Sequence, residues 1–300
     1  MKRLLIAILL FSSCVLHARS YLDAGLRAGL SGLIYDCEYG GTSPGYHLAV
    51  DLGYLYKSPY WIAFRVGASI ETASSSYRKT DYEDQYTTID VDNEKMRVQY
   101  TIGMLRERHQ TYSVSFPLQV GFNIQQFIFL IGPRFVLPLS GSWKETISDA
   151  SLSVYFPKYD NLVEESYPLA ASRNFEMEAS GKLTLQNWQC ALAGELTYDI
   201  LHGSSYRRAE SFLSVGVYFD VCLMPTTTCP VEERYGILHL TDMKDGLPLS
   251  RISTPVLQAW HSERPLVAKF NSFDVGIKVA YRLTSAPRMQ KRRHGCNCYE

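Results

Sequence analysis

Along residues 269–283, KFNSFDVGIKVAYRL, apolar and polar positions alternate strictly. Phe273, Val275, Ile277, Val279, Tyr281 and Leu283 fall on one face of an extended chain; Asp274, Gly276, Lys278, Ala280 and Arg282 fall on the other. A soluble sandwich would hide the apolar face and show water a polar one. Here the polar face mixes charge with glycine, which suits a crowded lumen better than a solvated surface. Seven further stretches repeat the design, so the pattern predicts an all-β, eight-stranded antiparallel up-and-down transmembrane β-barrel, apolar towards lipid and polar towards the lumen.

The other strands are expected over 21–34, 46–57, 62–71, 112–123, 127–139, 188–200 and 213–221. Their inward faces place Arg27 on the first strand, His47 and Asp51 on the second, and Arg65 and Glu71 on the third. Ser113, Ser115 and Gln119 follow on the fourth, Arg134 on the fifth, Glu195 and Asp199 on the sixth, and Asp220 on the seventh. Pro117, Pro133 and Pro138 weaken the fourth and fifth strands, because proline cannot donate to the ladder. Connections after strands two, four and six are tight. Those after three, five and seven are long and polar (73–110, 141–184, 224–266), the first with a hairpin extension pairing 86–91 with 96–102. This asymmetry predicts short periplasmic turns and long extracellular loops. Each facing pattern is about as long as the ~9–11 residues that a tilted strand needs to cross hydrocarbon.

The chain ends change the picture at one side. Lys2 and Arg3, an apolar run from Leu4 to Leu16, and small residues at Ala18 and Ser20 predict a signal peptide over 1–20, cleaved before Tyr21. Phe11-Ser12-Ser13-Cys14 is similar to a lipoprotein box, which leaves a lipidated Cys14 as the alternative. The run is shorter than the ~20 residues of a helical span, and no other such run exists. The barrel is expected over 21–284, with a basic tail over 285–300 (Arg288, Lys291, Arg292, Arg293). The 300 residues carry 30 Lys+Arg and 30 Asp+Glu, so no charge excess points to nucleic acid. The 21 Tyr, 13 Phe and 4 Trp suit interfacial aromatic girdles.

Asp274-x-Gly276-x-x-Val279-x-Tyr281 is similar to the closing-strand signal read by the barrel assembly machinery. With the eight alternating stretches, the chain over about 21–283 resembles the OmpA/OmpX-like outer-membrane barrels, in a porin-family form common in Bacteroidetes-type bacteria. That resemblance implies an integral protein of the Gram-negative outer membrane, embedded in its lipid and delivered by the assembly machinery. In that family the signal commonly ends the chain; here the basic tail follows it. No peptidoglycan-binding C-terminal domain is present, so no cell-wall tether is implied.

Candidate chemistry is sparse. Arg27, Arg65, Arg134, Lys278 and Arg282 share the inward face with Asp51, Glu71, Glu195, Asp199, Asp220 and Asp274. An eight-stranded barrel is just wide enough for side chains to fill, so a structural ion-pair network is expected, against a narrow ion path as the alternative. His47 and Asp51 with Ser113 and Ser115 are similar in type to the residues of outer-membrane acyltransferases and lipases, but no nucleophile–base–orienter set is visible. Asp90, Asp92, Asn93 and Glu94 lack the glycine and terminal glutamate of a calcium loop, and His294, Cys296 and Cys298 match no zinc spacing. No cofactor is implied. Cys222 and Cys229 flank a turn and are a candidate bridge.

Three functions remain. The first is a non-enzymatic barrel whose loop aromatics (Tyr77, Tyr82, Tyr86, Tyr155, Phe156, Tyr159, Trp260) meet an extracellular or envelope protein. A small pore and a soluble lipocalin-like ligand-binding barrel are the others.

Overall fold

The computed structural model describes residues 19–35, 41–58, 61–89, 93–163, 172–202, 211–224, 235–240, 251–261, 264–267 and 270–284. Residues 1–18 of the expected signal peptide, the basic tail and Cys229 lie outside them, while Arg19 and Ser20 begin the first strand. Eight strands form the ring: β1 Arg19–Tyr35, β2 Gly41–Lys57, β3 Ile62–Ile89, β4 Lys95–Ile124, β5 Phe127–Phe156, β6 Gln189–His202, β7 Ser211–Cys222 and β8 Phe270–Thr284. Each pairs antiparallel with its sequence neighbour, and β8 pairs with β1 from Tyr21↔Thr284 to Tyr35↔Phe270, closing the barrel. No described helix is long and apolar enough to cross a membrane.

The outer belt is apolar. Leu26, Leu52, Ile70, Val120, Leu139 and Ile277 are each more than half exposed, and aromatic side chains (Trp61, Phe122, Phe127, Tyr198, Tyr281) gather at the end that carries the tight turns. Burying a side chain of this size away from water is worth about 1.5–3 kcal/mol, so a continuous ring left in water would be strongly unfavourable. In hydrocarbon the same ring is at rest, and a closed barrel leaves no unpaired backbone edge there.

Glycine is obligatory at the seam. Gly29 faces Gly276 across β1 and β8. A Cβ on Gly276 would stand 2.2 Å from the Ala28 carbonyl oxygen, and one on Gly29 2.1 Å from that of Val275.

Beyond the belt the three long strands continue. The segments expected as polar loops are largely sheet: β3 and β4 stay paired to Ile89↔Lys95, and β4 and β5 to Arg97↔Tyr155. The strand Ser172–Lys182 adds to β5, extending this sheet into a hood. Asp81 and Asp149 take left-handed backbone angles (φ 54° and 53°) on the row through Gly103, where a Cβ would meet the Asp149 Cβ at 2.8 Å. At that row the alternation slips by one residue in all three strands: Leu105, Ile147 and Tyr77 point inward below it, Ile102, Ala150 and Tyr82 above. Ile237, Leu238, Leu240, Val256, Leu257, Leu266 and Val267 then cover this face and complete a buried apolar core.

Candidate functional site

The lumen is filled in three tiers. At the tight-turn end, Tyr21, Leu55, Ala63, Ile128 and Leu130 form an apolar stopper, with Phe212 against it. Alternation along the strands points polar residues inward generally, so nothing in the pattern distinguishes this tier. Lys57 lies over the Tyr21 ring at 5.1 Å and pairs with Asp199.

Above the stopper sits an ion-pair network. Among the described residues it comprises six cations, Arg27, Lys57, Arg65, Arg134, Lys278 and Arg282, with six carboxylates, Asp23, Asp51, Glu71, Glu195, Asp199 and Asp220. Arg65 donates to Asp23 (2.9 Å), Glu195 (2.8 Å) and Gln119 (3.2 Å). Lys278 reaches Glu195 at 2.8 Å and Asp23 at 3.4 Å, and Arg282 donates to Asp23 at 2.9 Å and to Asp199. Arg27 spans Asp51 and Asp220, while Arg134 pairs with Asp220 and Glu71. All twelve side chains are at least four-fifths buried, so each charge is held by partners rather than by water. Asp23 shares parity with Arg27 and was legible as inward; only the fold shows that three cations converge on it.

The His and Ser residues do not form a catalytic set. His47 Nδ1 bonds Tyr218 Oη at 2.6 Å, and its Nε2 lies 3.6 Å from Glu71. Ser113 donates to Glu71 at 2.9 Å, and Ser115 accepts from Arg134 at 2.8 Å. Glu71 thus stands between histidine and serine, and the hydroxyls meet this carboxylate rather than the imidazole. Cys222 is a buried free thiol, with its Sγ 3.1 Å from the Met224 carbonyl oxygen. Asp274 stands above the network with no ion pair among the described residues, whereas Val279 and Tyr281 of the same strand point outward into the belt.

The third tier lies where barrel meets hood and was not foreseen, because its residues fall in segments expected as loops. Glu107 and Glu145 face each other across β4 and β5 and are essentially inaccessible. Glu145 accepts from the Ser253 hydroxyl; Glu107 accepts from the Val256 amide at 2.8 Å and is bonded by His109 Nε2. Burial pushes the Glu107 carboxyl up to about 7 and Glu145 well above the carboxylate range, the latter reinforced by the charge of Glu107. Burial also pushes His109 down to about 4, against the pull of Glu145. Two adjacent buried carboxyls cannot both ionise. One of the pair therefore holds a proton. Leu105-x-Glu107-x-His109 carries the period of an inward face, which was the one available clue.

No family model matches the chain, and no curated protein matches it. Among solved structures, two of Ail, the attachment invasion locus protein of Yersinia pestis, align with 88% of this chain. One covers 98% of Ail at 7% identity and a TM-score of 0.27. The other, in complex with the heparin analogue sucrose octasulfate, covers 99% at 8% identity and a TM-score of 0.28. Superpositions this loose add nothing to the architecture already given by the strand pairing.

Proposed function

We propose that this chain is a non-enzymatic integral outer-membrane protein of the OmpA/OmpX-like kind, whose hood contacts a partner outside the cell. The observation that carries the reading is the inversion between its halves. The barrel wears its apolar residues outside and packs its charges inside, as lipid requires. The hood, on the same strands, does the reverse and presents a water-facing surface on a rigid stalk. Loops so anchored are where binding is expected. A conducting pore is disfavoured by the apolar stopper and the filled lumen, and a lipid-modifying enzyme by the separation of His47 from both serines. A lipocalin-like interior would be apolar, and this one is ionic.

Cell fractionation with topology tags tests the proposal. Folded protein is expected in outer-membrane vesicles, migrating faster unboiled than boiled. A tag inserted near Asp92, between β3 and β4 in sequence, should be stained on intact cells, and one near Ser204 only after the membrane is breached. Recovery in a detergent-free periplasmic extract would sink the membrane reading. Staining of the Ser204 tag alone would invert the topology and remove the surface role. Planar-bilayer recordings should show no steady conductance; large reproducible openings would favour the pore.

A further inference from the structure

Between the ion-pair network and the hood lies a cavity of about 70 Å³, several times the ~10–15 Å³ that one water needs. Arg134, Glu71 and Asp220 form its floor; Leu33, Leu183 and Leu257 line its apolar side. His47, His109 and Asp274 also line it, and each carries a buried polar atom without a hydrogen-bond partner: His47 Nε2, His109 Nδ1 and Asp274 Oδ1. His47 is 1% exposed and His109 3%. Buried polar atoms in native proteins are nearly always paired, so three orphans on one cavity wall point to a polar guest.

The chemistry of the guest follows from charge and protonation. Among the described residues, the six cations of the network are matched by six carboxylates below the cavity. Asp274 is a seventh carboxylate with no cationic partner among the described residues, and it sits across β7 and β8 from Asp220. The Val256 amide occupies one oxygen of Glu107, and in the tautomer that donates Nε2–H to the other oxygen His109 Nδ1 is an acceptor. The wall therefore offers a carboxyl group with no cationic partner among the described residues and, at His109, a second bare acceptor, beside an apolar flank. A donor-rich cation with a short hydrocarbon portion fits both features. We propose that this cavity is a binding site for a small primary amine in its ammonium form.

Calorimetric titration of n-butylammonium chloride into the full-length protein in detergent micelles tests this. Saturable binding at neutral pH is expected, with n-butanol binding at least tenfold more weakly. Asp274→Asn and His109→Gln should each weaken butylammonium binding about tenfold or more, whereas Glu178→Gln, on the hood exterior, should not. Heat-modifiable migration reports the folded fraction of each variant, and affinity is taken per folded molecule. If Asp274→Asn fails to fold, His109→Gln and the butanol comparison decide alone. Absence of saturable binding, equal affinity for butanol, equal competition by sodium, or unchanged affinity in the folded variants would overturn the assignment.

Discussion

The lower and upper halves of β3, β4 and β5 belong to the same strands and obey opposite rules. In the barrel, Arg65, Gln119 and Arg134 point in, while Val66, Val120 and Phe135 point out. In the hood, Tyr82, Ile102 and Leu152 point in, while Glu83, Thr101 and Arg106 point out. Period-two alternation survives in both; only the solvent changes. In the barrel, side-chain ion pairs fill the interior and lipid accepts the apolar face. In the hood, apolar burial holds the sheet together and water accepts the polar face. The strand pattern specifies two faces, and the surrounding medium decides which of them is inside.

The largest effect should come at the seam. Gly276→Asp forces a Cβ into the Ala28 carbonyl, and folded, membrane-inserted protein should fall to near nothing on a heat-modifiability gel. Truncation after Ala286 should leave that fraction unchanged. Insertion lost on truncation but kept with aspartate would mean that the tail, not β8, carries the assembly information.

Next comes a pair of substitutions that separates the two halves. Arg65→Leu removes the partner of Asp23 and Glu195 and should cost about 3–5 kcal/mol of barrel stability in urea, because the acids left behind are buried. Ile102→Ala opens a void in the hood and should cost about 2–5 kcal/mol there. Protease should then cut the hood at Arg97 or Arg106 while the barrel still migrates as folded. A single unfolding transition displaced equally by both substitutions would show that the halves are one cooperative unit.

Titration should distinguish them further. With Glu107 raised to about 7 and Glu145 well above the ordinary carboxylate range, the folded hood holds protons that the unfolded chain releases above about 4.5. Stability is therefore present at low pH and falls as pH rises from about 4.5 to above 7, by ~1.4 kcal/mol per pH unit for each proton. His109, lowered to about 4, works in the opposite sense between about 4 and 6.5, leaving a net loss of one proton's worth over that span. Hydrogen exchange of the hood amides should follow this slope, and Glu145→Gln should flatten it. An unchanged slope would mean that the buried pair does not retain its protons in the folded state. The smallest effect belongs to Lys144 and Glu178, 3.4 Å apart on the hood exterior and both about two-thirds exposed. Glu178→Ala should leave unfolding unmoved within error, since exposed pairs contribute little.

Alternation along eight stretches, such as 21–34, 112–123 and 269–283, was sufficient to predict an eight-stranded barrel, because strand periodicity is local and lipid demands a uniform outer face. It also assigned Arg27, Arg65, Arg134, Lys278 and Arg282 to one interior with their carboxylates. Which of them touch was decided by closure, which brings residues as far apart in sequence as Asp23 and Arg282 within 2.9 Å. The hood was illegible for the same reason. Its core joins Tyr82, Ile102 and Leu152 to Leu238, Val256 and Leu266, and its frame slips at Asp81, Gly103 and Asp149, where a window of fixed parity loses the pattern. Glu107 and Glu145 look like ordinary solvated acids until strand pairing sets them face to face and Ser253 and Val256 cover them. The period of a strand is carried by neighbouring residues, whereas the charge balance of a buried site depends on partners that only the closed fold assembles.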